Sequence, residues 1–343
     1  MSLVVYPVSL VVAQHGHATS HGGEGARRAG PIRIPVGHAG HLIGEVVAVP
    51  PLDGHPDLPL EPDGMVTCSG CRHTYRTLRG VPRFVETDGY VQSFSFEWLH
   101  HRQTQLDGAL SQESEVTFRT KTGLGPDDLR GRVVLDVGCG MGRFAEVVSR
   151  WGGSVVGVDL SLAIESAYAN LGERPNVRFL QADCFKLPFA PGSFDVVYSI
   201  GVLHHTPDCA AAFRAIVPLV KPGGTLAVWL YSRMGSWNRV ARIYRRVTTR
   251  MPHRLLHVLC YAAVPLYYLH RIPKVGAISQ IIFPTSMHPR ARWRVLDTFD
   301  WYSPAYQSLH DPEEVRGWCE AAGLVDICLL EFPVAVRARR PGA

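Results

Sequence analysis

The sequence predicts an α/β protein built on a doubly wound, mostly parallel seven-stranded sheet that ends in an antiparallel hairpin. Three observations predict it. From Arg132 the chain repeats strand, glycine turn and amphipathic helix; the repeat stops at Ser232 and resumes near Asp311; and the chain closes with two strand-like runs separated by a turn. A small β-rich N-terminal prefix and a helical insertion complete the expected architecture.

Residues 1–35 are rich in Gly, His and Ala, show no period, and are expected to form a flexible tail. Residues 36–88 hold short β-like runs broken by Pro and Gly, including Cys68-Ser-Gly-Cys71. The main domain is expected over 89–343, with an aromatic, helix-forming lead-in that carries Phe94, Phe96 and Trp98. Its first strand, VVLDV at 133–137, is a continuous apolar run as buried parallel strands are. Gly138-Cys139-Gly140-Met141-Gly142 turns it into a helix whose face is Phe144, Val147, Val148 and Trp151. Strands at 154–159, 177–183, 194–200 and 225–231 follow, with helix faces at Ile164, Ala167 and Leu171 and at Phe213 and Ile216. Asp208 and Asp311 are placed as helix N-caps, the second with Pro312 at the first helical position. The last two strands are expected at 324–331 and 333–337.

A chain of 343 residues with 46% hydrophobic and 19% charged residues can bury a large core, which excludes wholesale disorder. The eight cysteines are scattered, which excludes a secreted disulfide scaffold. No apolar run reaches the roughly 20 residues of a spanning helix. Residues 3–13 lack a positive leader and a cleavage site, so a cytoplasmic setting is expected. Charge is unevenly spread: 209–296 contains 14 Lys/Arg and no Asp or Glu, leaving 21 bases against 30 acids elsewhere. An acidic body thus carries one cationic segment, which points to an anionic partner.

Ligands of doubly wound sheets bind outside the carboxyl ends of the strands. That edge carries Asp136, the glycine turn, Asp159 and Asp183. An acid ending the second strand is placed to accept ribose hydroxyls, and one ending the third to reach an adenine amine, so a nucleoside ligand is expected. The ordered segments VLDVGCGMGRF, VVGVDLS, QADCFKLPF, FDVVYSIGVLHHT and VKPGGTLAV resemble the class I S-adenosylmethionine-dependent methyltransferases, of the type 11 kind, across about residues 90–340. The resemblance implies a Rossmann-like methyltransferase sheet with S-adenosylmethionine as cofactor. It assigns Asp136 with Gly138, Gly140 and Gly142 to the methionine part, Asp159 to the ribose, and Asp183 with Cys184 to the adenine, and it adds Cys139, Leu160 and Ile200 as further cofactor-binding residues. His204 and His205, just after the fourth strand, are candidates to take a proton from an acceptor; in the resembling family, histidines here often only shape the pocket.

The insertion at 232–310 holds the place where that family commonly carries its substrate lid. Arg233, Arg239, Arg242, Arg245, Arg246, Arg250 and Arg254 precede an apolar, aromatic run, a pairing suited to a membrane interface. We therefore expect a small-molecule acceptor, phosphorylated or lipid-linked (a saccharide, lipid or natural product), and peripheral membrane contact through 233–269. The alternatives are a ribosomal- or transfer-RNA base methyltransferase and a non-catalytic nucleoside-binding adaptor. A nucleic-acid partner is disfavoured because the basic segment adjoins an apolar lid rather than interleaved aromatics. Cys68 and Cys71 resemble half of a zinc ribbon, and His38 with His41 would complete four ligands for a structural zinc.

Overall fold

The computed structural model describes residues 32–38, 41–48, 63–67, 74–108, 112–233 and 237–342. Strands β1 (Ile32–His38) and β2 (His41–Ala48) form an antiparallel hairpin that begins inside the expected tail. Strands β3 (Asp63–Thr67), β4 (Thr74–Leu78) and β5 (Val81–Pro82) form a second antiparallel sheet. Helices α1 (Gln92–His100), α2 (Glu113–Thr122) and α3 (Pro126–Leu129) lead into the body.

The body alternates as its periodicity predicts: β6 (Val133–Val137), α4 (Arg143–Arg150), β7 (Ser154–Asp159), α5 (Ala163–Leu171), β8 (Val177–Gln181), β9 (Phe194–Ile200), α6 (Cys209–Ile216) and β10 (Val220–Trp229). The insertion folds as α7 (Trp237–Thr248), α8 (His253–Cys260), α9 (Ala263–His270), α10 (Val275–Ile282) and α11 (Ala291–Tyr302). The chain then returns through α12 (Pro312–Ala321), β11 (Val325–Leu329) and β12 (Ala335–Arg339).

Seven strands form one sheet in the order β11-β12-β10-β9-β6-β7-β8. Strands β6 to β10 run parallel, and β12 is antiparallel to both β10 and β11. Both faces are covered, so each strand feeds two cores: Leu135, Val156 and Val197 point to one, Val134, Val155 and Val196 to the other. Several strand ends depart from expectation: β8 stops at Gln181, two residues before Asp183, β10 stops at Trp229, and β11 spans only Val325–Leu329. Strand β10 starts at Val220, earlier than the sequence suggests, because a register shift between Val220 and Thr225 absorbs the Lys221–Gly224 turn. The last strand starts at Ala335, with 330–334 as its connection.

The prefix and the body share a core. Tyr75 and Val81 are buried in the two clusters of the main sheet, and Arg83 forms a parallel bridge to Gln181 on edge strand β8. The Arg83 guanidinium pairs with Glu165 of α5 at 3.0 Å. Residues 75–84 thus finish the β8 edge. The helix signals hold: the Asp208 carboxylate accepts from the Ala211 amide at 2.9 Å, capping α6. Arg233 pairs with Asp311 and Glu314 of α12, tying the start of the insertion to the body.

Candidate active site

Strands β6 and β9 are neighbours from which the chain winds in opposite directions, so a crevice opens at their carboxyl ends. The glycine turn sits there. Gly138, Gly140 and Gly142 have φ of +80°, +54° and +91°, a region L side chains enter only at a cost. A Cβ on Gly138 would also fall into the Val202 side chain, so that position needs glycine for space as well as angle. The Gly138 and Cys139 amides donate to the Val158 carbonyl, at 2.7 and 3.0 Å, holding the turn against β7.

The three acids do different things. Asp159 braces the turn: its Oδ2 accepts from the Gly140 amide at 2.8 Å, and its Oδ1 accepts from both the amide and hydroxyl of Ser161, at 2.8 and 2.6 Å. A carboxylate offers about four acceptor positions, so Oδ1 is full and Oδ2 keeps one. Asp136 is buried beside the Tyr198 hydroxyl, which favours its charged form, and its Oδ2 makes no close hydrogen bond among the described residues. Burial above all, with Asp159 adding its charge, pushes the Asp136 carboxyl up to about 7. Asp183 accepts from the Phe185 amide at 3.0 Å through Oδ1. Leu160 follows β7 and gives its carbonyl to the Gln181 side chain; Ile200 ends β9 and is buried. The Cys139 and Cys184 thiols are pushed up by burial first, so both stay protonated and neither is an activated nucleophile.

His204 and His205 are both buried on a short turn after β9. Their hydrogen bonds assign opposite tautomers. His205 Nδ1 lies 3.0 Å from the Tyr306 carbonyl, which can only accept, so Nδ1 carries the hydrogen and Nε2 is a bare lone pair. His204 Nδ1 accepts from the Tyr231 amide at 3.3 Å, so its hydrogen is on Nε2. Neither Nε2 has a hydrogen-bond partner among the described residues. Burial depresses both imidazoles, keeping them neutral at pH 7. His204 stacks on Tyr231 (centroids 3.9 Å apart), whose hydroxyl donates to Asp300 at 2.6 Å.

Helix α1 roofs this edge, and the sequence did not announce it. Tyr90, one residue pair before α1, has its phenol pushed up by burial and then by Cys184, Asp183 and Asp159, which places it among three residues expected to hold the nucleoside. Phe94 meets His205 edge-on at 5.1 Å, and Trp98 lies over Gly140. Phe94 and Trp98 are one turn apart, about 6 Å along the helix axis, so α1 links the glycine turn to the histidines over a short span. Between them Glu97 is buried with both carboxylate oxygens unpartnered. Burial, then Asp300 and Asp297 of α11, push its carboxyl well above the usual range. Lys121 stands over the Trp229 ring at 3.3 Å and is pulled down to about 7 by burial and by Arg143. Four residues of this wall, Glu97, Lys121, Asp297 and Asp300, escaped the sequence reading; Asp297 and Asp300, at helical spacing directly after the acid-free stretch, were the available signal.

Of the insertion's arginines, Arg245 turns inward to this site: it donates to the Trp301 and Pro304 carbonyls and its charge acts on His205, Tyr231 and Asp300, whereas Arg242, Arg246, Arg250 and Arg254 are exposed. Of the expected zinc ligands, His38 and His41 are register partners in the β1–β2 pairing, and Cys68 and Cys71 lie outside the described residues.

Residues 135–228 match the family model described as a methyltransferase domain. The chain is 38% identical over 136 residues to the ubiquinone biosynthesis O-methyltransferase of Albidiferax ferrireducens, a match covering 38% of this chain and 53% of that protein. The corresponding protein of Neisseria meningitidis serogroup C is 31% identical over 194 residues, 54% of this chain and 72% of that protein. A sterol 24-C-methyltransferase of Saccharomyces cerevisiae is 30% identical over 184 residues, covering 52% and 45%. The chain thus spans about half the length of the first and third of these curated relatives.

Proposed function

The chain belongs to the class I S-adenosylmethionine-dependent methyltransferases, and from that premise we propose that it methylates a small-molecule acceptor, with His205 as the base that receives the acceptor's proton. The residues at the sheet edge fit the cofactor. The buried Asp136 carboxyl, whose Oδ2 makes no close hydrogen bond among the described residues, suits the methionine ammonium. Asp159 Oδ2 retains one acceptor position for a ribose hydroxyl, and Asp183, held by the Phe185 amide beside the Cys184 thiol, is placed toward the adenine end. Tyr90 closes over that end. S-adenosylmethionine, when bound, supplies a methyl group already activated on a sulfonium, which a nucleophile takes by in-line displacement.

The protein's share is then positioning, exclusion of water and proton removal. Helix α1 seals the crevice, with Trp98 over the turn and Phe94 against His205. The bare Nε2 of His205 is the observation that carries the assignment of the base. His204, with its hydrogen on Nε2, is a positioning residue that fixes Tyr231 by stacking and by its amide. The relatives' printed names span hydroxyl and carbon acceptors; a neutral imidazole base favours an acceptor that must lose a proton, such as a hydroxyl.

For the acceptor class we propose a lipid-linked molecule, phosphorylated or glycosidic, met at the cytoplasmic surface of a membrane through the insertion. The support is the exposed apolar and cationic surface of the insertion beside the site. Labelled cofactor incubated with lipid extracts and phosphorylated sugars tests the activity. In the extract that is labelled, His205→Gln should lower kcat by about 10²–10⁴-fold with the acceptor KM nearly unchanged. His204→Gln should alter both. Equal kcat for His205→Gln and the parent overturns the assignment.

A further inference from the structure

Helix α10 is built inside out. Its buried positions are Gly276 and Ser279, and the Ser279 hydroxyl meets His270 Nδ1 at 2.8 Å. Its exposed positions are Val275, Ile278, Ile281 and Ile282. A helix of a water-exposed surface has the opposite arrangement. The neighbouring helices also expose apolar residues: Val258 on α8 is 65% exposed and Tyr268 on α9 68%, beside Ile278 of α10 at 61%. Of the 21 large hydrophobic residues that are exposed among the described residues, 15 lie between 243 and 283. A surface of that size on a lone soluble chain marks an interaction site.

The charges beside it select the occupant. Arg242, Arg246 and Arg254 on α7 and α8, and Arg250, Arg271 and Lys274 in the segments between the helices, are exposed, and none of the six is in an ion pair among the described residues. No acid occurs in 209–296. A protein partner would meet apolar residues with a mixed polar rim; apolar and aromatic side chains interspersed with cations alone match an anionic lipid surface. No helix among the described residues is long and apolar enough to cross a membrane, so the contact is interfacial.

We propose that the outer face of α7–α10 docks on an anionic bilayer surface, its apolar side chains entering the headgroup boundary and its arginines meeting lipid phosphates. This extends the lipid-linked reading of the acceptor, and it reaches beyond residue 269 to α10. Docking there would bring the acceptor pocket, walled by α11 and α1, to the membrane. Vesicle capture requires neither cofactor nor acceptor, so failure of this proposal and failure of the methyl-transfer reading are separately visible.

The test is co-sedimentation of the full chain with vesicles of phosphatidylcholine alone and of phosphatidylcholine with phosphatidylglycerol. Capture should be at least tenfold stronger on the anionic vesicles and should weaken with salt. The triple variant Val258→Ser, Tyr268→Ser, Ile278→Ser should abolish it while leaving cofactor binding, the check on folding, unchanged. Arg246→Glu, Arg250→Glu and Arg254→Glu should each lower capture at least fivefold, since one surface cation contributes about that factor. Equal capture by both vesicle types, or by the triple variant and the parent, overturns the proposal. So does a dimer of the parent that the triple variant converts to monomer without any vesicle capture, because the occupant is then a second copy.

Discussion

Alanine substitutions at the three glycines of the turn should differ in cost in an order set by their surroundings. Each sits at positive φ, which costs an L residue about 1–2 kcal/mol. At Gly140 that is nearly all, because the nearest atom to an added Cβ is Trp98 Nε1 at 3.6 Å. At Gly142 the Cβ would meet Leu171 Cδ1 at 2.9 Å, the end of a side chain that can turn aside. At Gly138 it would collide with the whole Val202 side chain, whose own Cβ is 2.8 Å away, so an overpacking cost of about 1–3 kcal/mol is added. We expect urea denaturation to give losses of about 1–2 kcal/mol for Gly140→Ala, about 2 for Gly142→Ala and about 2–5 for Gly138→Ala. Cofactor affinity should fall most for Gly138→Ala, whose relaxation moves the turn itself. A loss at Gly140 equal to or larger than that at Gly138 would refute the reasoning, since the backbone angle alone would then decide the cost.

Other outcomes follow from the buried titratable groups and the prefix. With the Asp136 carboxyl near 7 in the free protein, affinity for S-adenosylmethionine should fall as pH drops from 8 to 6, because a protonated Asp136 cannot meet an ammonium; calorimetry in buffers of different ionisation heat should show proton release on binding. His101 is pulled down to about 4 by burial and by His257, which its Nε2 meets at 3.1 Å. A depressed histidine leaves the unfolded chain to take up the proton first, so stability should be complete above about pH 6.5 and decline toward pH 4. Urea midpoints for His101→Phe should show a shallower decline over that window. Zinc analysis of the purified chain should find one ion if His38, His41, Cys68 and Cys71 ligate it, and Cys68→Ser should remove it.

The body was legible because each of its elements carries a local signal. The apolar runs ending in Asp136 and Asp159, the glycines between strand and helix, and the cap at Asp208 each act within a few residues. The roof was not legible. Phe94, Phe96 and Trp98 alternate as a strand would, yet they lie on a helix and point to three different partners: His205, Phe299 and the Gly140 turn. Only tertiary packing separates those roles. Nor does sequence reveal that Glu97 is buried without a hydrogen-bond partner among the described residues, or that two adjacent histidines hold opposite tautomers, since the tautomers depend on Tyr231 and Tyr306, one 27 and the other 101 residues distant. In the insertion the composition announced apolar and basic residues, but only the fold shows that the apolar ones face outward and that Arg233 and Arg245 are already engaged with the body.

The central claim is that the edge beside the glycine turn holds an adenosyl sulfonium. Titrating the folded chain with S-adenosylmethionine and with S-adenosylhomocysteine in a calorimeter tests it most directly. One saturable site per chain is predicted for each, weakened at least tenfold by Asp136→Asn. A folded protein that takes up neither, or an Asp136→Asn variant that binds both as the parent does, would contradict it.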